Sequence, residues 1–186
     1  KEGQADAIGN GSASFTASNT DYITMGNPTS LQITGSLSIS CWVKTNGSLS
    51  GYKRLVSKDD GSNRSYILHS NNGKPVFFIF KSGSSASSGE SSVDIDDGNW
   101  HHVLGLNDGT NLTIYVDGVQ TATSTNGGTI DNDSADFEIG RYGADSEYFD
   151  GKIANVGVWS RALEPEEVQS IMNKSYSQLK GVEKTS

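Results

Sequence analysis

The sequence predicts an all-β protein, an antiparallel two-sheet β-sandwich with one short C-terminal helix. Three observations carry that expectation. The composition is neutral-polar, with 28 Ser, 13 Thr, 14 Asn and 22 Gly in 186 residues and only 19% charged residues. Long helices are built instead from Ala, Leu, Glu and Lys. Nine Asn-Gly or Asp-Gly dipeptides punctuate the chain, and these are the strongest short-range hairpin signal. Between them, apolar and polar residues alternate with a period of two, which lines one face of a strand.

The elements follow in order. Short strands are expected at 13–16 and 22–25. Over 37–44, Leu37, Ile39, Cys41 and Val43 fall on one face. Strands at 53–58 and 64–69 flank Asp60-Gly61, and a strand at 75–81 follows Asn72-Gly73. Residues 75–80 are apolar on both faces, so they lie either between two layers or on an exposed aromatic surface. The Ser/Gly-rich stretch 83–92 reads as a mobile loop, with strands expected at 91–95 and 100–107. Leu112 to Asp117 runs into Asp117-Gly118 and returns as Val119 to Thr123, which predicts a hairpin. Strands at 136–140 and 152–159 bring the total to eleven or twelve. The one helix signal is Glu164-Pro165-Glu166-Glu167, with proline at a first helical position and acids in the first turn. Val168, Ile171 and Met172 then share a face.

Length and charge bound the rest. A chain of 186 residues suits one domain that buries about 70% of its unfolded surface without a staple. Its single cysteine, Cys41, leaves no partner for an intramolecular disulfide. The expected organisation is a lead-in at 1–9, a sandwich at 10–175 and a linker-like tail at 176–186. A net charge of −8 without a basic stripe argues against nucleic acid as a partner. The lack of an 18-residue apolar run argues against membrane insertion.

Four segments, taken in order, resemble a known family: Asp97-Gly98-Asn99-Trp100-His101-His102-Val103, then Leu112 to Val119, then Phe137-Glu138-Ile139-Gly140, then Tyr148 to Leu163. With Phe15, Asp21-Tyr22-Ile23 and Leu37 to Val43, they resemble the laminin-G-like domains of the concanavalin A-like lectin/glucanase superfamily, over roughly residues 10–175. The resemblance implies a jelly roll with one concave sheet. The ending resembles linkers between repeated copies of such domains in virus-like and marine metagenomic proteins. That implies neighbouring domains of the same polypeptide as partners, and an extracellular, cell-surface or virion-surface location.

Such a fold hosts many functions, so function must be argued from the site. Hydrolytic relatives carry Glu-x-Asp-x-x-Glu on one strand, and this chain has no such motif. Its acidic clusters, 94–97 and 145–147, sit beside turns. His101 and His102 are neighbours on a strand and point to opposite faces, so they cannot chelate one ion. His69 has no partner in sequence. Trp42, Trp100 and Trp159 fall where the family places core residues. Tyr52, Tyr142, Tyr148 and Phe149 lie nearer loops and are better placed for ligand contact. Arg141, Tyr142, Asp145, Glu147 and Tyr148 gather aromatic, basic and acidic groups in one loop. With Tyr52 they form the expected ligand site.

The expectation is a non-catalytic, lectin-like recognition module that binds glycans through rim loops or the concave sheet face. The alternative is a structural or adhesion module of a larger surface or virion protein. A polysaccharide-degrading enzyme comes third. The resemblance also implies calcium. Ala154 occupies the place of the usual convex-face aspartate, so a calcium site would fall instead on Asp21, Asp145 and Asp150.

Overall fold

The computed structural model describes residues 11–144 and 146–174. The expected lead-in, the tail and Asp145 lie outside the described residues. The chain runs through β1 (Ala13–Phe15), β2 (Ile23–Thr24), β3 (Leu37–Thr45), β4 (Tyr52–Asp59), β5 (Arg64–Asn71) and β6 (Lys74–Lys81). It continues through β7 (Ser84–Ser87), β8 (Trp100–Asn107), β9 (Leu112–Val116), β10 (Val119–Ser124), β11 (Phe137–Ile139) and β12 (Gly151–Trp159) to the helix α1 (Pro165–Met172). Two single 3-10 turns, Ala17–Asn19 and Thr29–Leu31, precede β3. Neither turn carries a local sequence signal.

The strands form two six-stranded antiparallel sheets. One has the order β1-β12-β3-β8-β9-β10 and the other β2-β11-β4-β5-β6-β7. The sequence-expected β-sandwich with one C-terminal helix is therefore the observed architecture. Three hairpins close with two-residue loops: Asn71 pairs with Lys74, Lys81 with Ser84, and Val116 with Val119. Both central residues of each loop have positive φ, as in Asp117 (51°) and Gly118 (76°). That conformation matches the right-handed twist of the strands.

The stretch expected to be a loop at 83–92 instead begins with a strand. Ser82 takes a φ of 51° beside Gly83, and the chain returns as β7 along β6. The segment 91–95 is not a strand. It still follows β6, through Ser91 N to Pro75 O (2.9 Å) and Ile95 N to Gly73 O (2.9 Å). The Ser91 hydroxyl donates to Val93 O and accepts from Val93 N, both at 2.9 Å. Such local bonds compete with a ladder.

The core lies between the sheets. Leu37, Ile39, Cys41 and Val43 of β3 face Leu55, Tyr66, Leu68, Phe77 and Ile79 of the second sheet, all fully buried. Gly105 sits opposite Phe77, and a Cβ there would lie 2.4 Å from the Phe77 ring. A second cluster covers the outer face of the first sheet. There Leu104, Leu106 and Tyr115 pack beneath Leu163 and Val168, with Trp159, Ala162 and Ile171 at its edge. So α1 caps one outer face, while no helix of the described residues covers the other.

The tryptophans are not core residues in the expected sense, because each is only partly buried. Trp42 belongs to the even-numbered, outward set of β3 and lies tilted against His102, with ring centres 5.5 Å apart. Phe149, expected near ligand, is fully buried and packs edge-on to Phe15 at 6.4 Å.

The approach to α1 is fixed by one hydroxyl. Ser38 Oγ donates to Arg161 O (2.9 Å) and accepts from Leu163 N (3.0 Å). Ser38 is fully buried. Ser38→Ala strands a buried N–H and a carbonyl, and is expected to cost about 1–3 kcal/mol. Chemical denaturation with an unchanged m-value checks this.

Candidate functional site

The uncapped outer face of the second sheet carries a groove of about 290 Å³. It is built from alternation. Inward Phe77 and Ile79 leave Phe78 and Phe80 of β6 facing out, and inward Tyr66 and Leu68 leave Ile67 and His69 of β5 facing out. Antiparallel pairing sets Arg54 directly opposite His69 and adds Tyr52 beyond it. An irregularity in register between Arg54 and Val56 lets Leu55 and Val56 both enter the core, as a bulge does. Tyr142 and Glu147 form the remaining wall.

Backbone hydrogen bonds fix both residues. Tyr142 N donates to Ser146 O (3.0 Å), and Arg54 N donates to Glu147 O (3.2 Å). Glu147 takes a φ of 54°, a left-handed conformation that is rare for a non-glycine residue. Strain of this kind gathers at binding sites. The Tyr142 ring rests over the Asp60-Gly61 turn. A Cβ on Gly61 would lie 2.6 Å from the Tyr142 hydroxyl.

Arg54 organises the floor. Its Nη1 donates to His69 Nδ1, and its Nε lies 3.2 Å from Glu147 Oε2. The Glu147 contact is an ion pair whose angles fall short of a hydrogen bond, so both atoms remain buried without a hydrogen-bond partner. The Arg54 guanidinium also lies 4.9 Å from the Tyr142 ring centre. Burial lowers the Arg54 pKa, and the nearby Glu147 and Asp59 resist that shift. A guanidinium can only donate. His69 therefore accepts at Nδ1 and carries its proton at Nε2. Its ring lies between stacked Tyr52 (5.2 Å) and edge-on Phe78 (5.1 Å). Burial, with Arg54 adding to it, pushes the His69 pKa down to about 3. It is neutral at physiological pH.

Arg64 lies over the Phe80 ring at 4.1 Å and grips Asp59 through Nε (3.0 Å) and Nη2 (3.1 Å). Asp59 is buried and also accepts from Gly61 N at 2.8 Å. Burial opposes the Arg64 charge, but the Asp59 hydrogen bonds and charge outweigh it and raise the Arg64 pKa.

Of the expected ligand residues, Tyr52, Tyr142 and Glu147 meet in this groove. Arg141 does not join them. It pairs with Glu138 (3.0 and 2.6 Å), lies over the Tyr22 ring at 3.5 Å and bonds Tyr148. Arg141 and Tyr148 thus stand together beside the groove, and Asp145 is outside the described residues. The sequence reading missed Arg54, Arg64, His69, Phe78 and Phe80. The signal available for the last two was the two-faced apolar run 75–80.

Of the expected calcium ligands, Asp21 and Asp150 lie among the described residues, and each accepts a hydrogen bond from the protein. Asp21 Oδ2 accepts from Thr16 N (3.0 Å), and Asp150 Oδ1 accepts from the Asn46 amide (2.8 Å). Among the described residues, no group of three His, Cys, Asp or Glu side chains is placed to hold a metal. His101 and His102 do point apart. His101 bridges Asp117 (2.8 Å) and Asp97 (3.1 Å), while buried His102 lies against Trp42.

A family model described as the concanavalin A-like lectin/glucanases superfamily (Laminin_G_3) matches residues 17–169. No curated protein matches the chain in sequence. Among solved structures, it is similar to the binding domain of Paraclostridial Mosquitocidal Protein 1. There the TM-score is 0.72 at 16% identity, over 91% of this chain and 44% of that one. It is also similar to the binding domain of botulinum neurotoxin serotype G, with a TM-score of 0.71 at 19% identity, over 89% and 43% of the two chains. A structure of botulinum neurotoxin type C, whose cell entry depends on interaction with two ganglioside molecules, gives 0.55 at 16% identity, over 75% and 35%. At these identities the likeness shows a shared fold. The chain spans under half the length of these solved structures. Among the described residues, no helix is long and apolar enough to cross a membrane.

Proposed function

Because the chain belongs to the concanavalin A-like lectin/glucanase superfamily, we propose that it is a non-catalytic, lectin-like module that binds glycan in the groove on the outer face of the second sheet. The observation that carries this reading is the groove itself. Tyr52, Phe78, Phe80 and Tyr142 bring aromatic rings to one face, interleaved with Arg54, Arg64 and Glu147. Aromatic rings stack on the apolar faces of sugars, and a few fixed polar groups set orientation. The ganglioside dependence of the type C neurotoxin adds support by analogy of fold.

The groove does not favour hydrolysis. Glycosidic cleavage needs two carboxylates free to act as acid and as base or nucleophile. Asp59 is buried and gripped by Arg64, and Glu147 is pinned against Arg54.

A glycan array with the intact chain, with and without chelator, tests the reading. The expected result is weak, chelator-independent binding. Tyr52 is half exposed, so Tyr52→Ala leaves the fold intact. It is expected to lower affinity about tenfold through lost stacking, as read by calorimetry. Silence across the array, or full binding by Tyr52→Ala, rejects this reading and its site.

A further inference from the structure

The groove's charges and free hydrogen-bonding atoms narrow the class of glycan. This step rests on the groove being the glycan site. Every charge in it has a counter-charge at hand. Asp59 faces Arg64, with Arg54 Nη2 at 3.9 Å, and Glu147 faces Arg54. Two arginines and two carboxylates leave no net charge for an ionic sugar to neutralise. A uronate or sialate carboxylate entering near Arg64 would also meet Glu147, whose charge is close enough to bias Arg64 itself. An amino sugar would meet two guanidinium groups. Beyond the groove the chain carries −8, which repels polyanions further.

Beside the hydroxyls of Tyr52, Ser85 and Tyr142, the charged side chains leave one donor and one acceptor. The Arg64 side chain is 39% exposed, and Asp59 occupies its Nε and Nη2. Its Nη1 is left to donate. The Glu147 side chain is 26% exposed. Its Oε2 is buried against Arg54, so Oε1 is left to accept. A hydroxyl both donates and accepts, and neighbouring sugar hydroxyls can answer both groups at once. A carboxylate only accepts and an ammonium only donates. His69 supplies ring surface, because its Nε2 is buried beneath Tyr52 and Phe78.

We infer that the groove selects an uncharged sugar unit, with Arg64 donating to one hydroxyl and Glu147 accepting from its neighbour. Arg54 is the positioning residue that holds Glu147 in place. Selection against charged sugars is then a property of the local ion pairs and not of the aromatic platform.

The test compares neutral hexasaccharides (cello-, laminari-, manno- and xylo-) with oligogalacturonate, oligomannuronate and chitosan oligomers of equal length. Titration calorimetry is run at low and high salt. The expected result is that at least one neutral series binds, with little salt dependence, and that the charged series bind at least tenfold more weakly. Glu147→Gln removes one carboxylate and leaves the arginines in excess. It is expected to shift the neutral-to-uronate affinity ratio at least tenfold toward uronate at low salt, with the gain lost at high salt. That shift is a ratio within one variant, so a general loss of stability does not mimic it. A wild-type chain that prefers uronates or chitosan overturns the inference but leaves glycan binding standing. A Glu147→Gln chain with an unchanged ratio also overturns it. Failure to bind any member of the panel overturns both.

Discussion

Gly105→Ala is expected to destabilise the protein by about 3 kcal/mol, the upper part of the range for overpacking a core. The added Cβ would lie 2.4, 2.5 and 2.8 Å from three atoms of Phe77. Real Cβ atoms do not come that close, so a ring or a backbone must move. Neither moves freely. Phe77 is fully buried, and β8 is paired on both sides, to β3 and to β9. Gly105 lies between Ile39 and Ile114 in that ladder, and both are fully buried. The cost is steric, so reducing the ring must relieve it. Phe77→Leu alone destabilises through lost burial. In the double variant, Gly105→Ala is expected to cost at least 1 kcal/mol less than it does alone. Urea unfolding of the four proteins measures the coupling. Additive effects would show that the sheets part here without resistance.

The second large effect is a loss of stability on mild acidification. Burial, with Arg54 adding to it, holds the His69 pKa down at about 3. Burial holds that of His102 at about 4, partly resisted by Asp117. The ordinary value is 6.5 for both. Below 6.5 the unfolded chain takes up a proton at each site and the folded chain does not. Stability therefore falls with pH, by about 1.4 kcal/mol per unit for each histidine. From pH 7 to 4.5 the two together remove roughly 5 kcal/mol.

His101 has the opposite sign. Burial opposes its charge, but hydrogen bonds to Asp117 and Asp97 outweigh this and raise its pKa. Its contribution is complete below 6.5 and is lost as pH rises through the raised value. It softens the curve near neutrality and leaves most of the slope between pH 5.5 and 4.5 to the other two. Carboxylates such as Glu167 and Asp97, each held down to about 2, add losses that begin as pH nears their ordinary values of 4.5 and 3.8 and grow below them. Denaturation at half-unit steps is expected to show uptake of two protons on unfolding in that window. His102→Gln is expected to remove one of them. A flat profile above pH 5 would contradict the neutral state assigned to both rings.

The fold was legible where chemistry is local. Asn72-Gly73 and Asp117-Gly118 announce their turns, and Leu37, Ile39, Cys41 and Val43 announce their face. Ser82-Gly83 was missed because serine rarely enters the left-handed region, and β7 was hidden in a run of serines that resembles a loop. The stretch 91–95 shows the converse. Its alternation is real, but Ser91 satisfies the backbone locally. The alternation in β3 also placed Trp42 on the outer face, more reliably than family position did.

The site was legible only in part. Tyr52, Tyr142 and Glu147 were visible as loop residues of the right type. Arg54, Arg64 and His69 were not, because strand pairing brings 54, 64 and 69 together and a backbone bond from Arg54 adds Glu147. A histidine without a partner in sequence gains one from the adjacent strand. Phe78 and Phe80 were half-visible, since a run apolar on both faces admits two readings and only the uncapped sheet decides between them.

Cys41 is the sole cysteine. It is fully buried between the sheets, and burial pushes its thiol pKa far above the ordinary value. A reagent can reach it only when the sandwich opens. The chain therefore carries its own reporter of opening, and thiol labelling in native buffer times the separation of the sheets without an added probe. The same silence leaves a cysteine introduced at the groove's edge as the one site a dye will take in the folded protein.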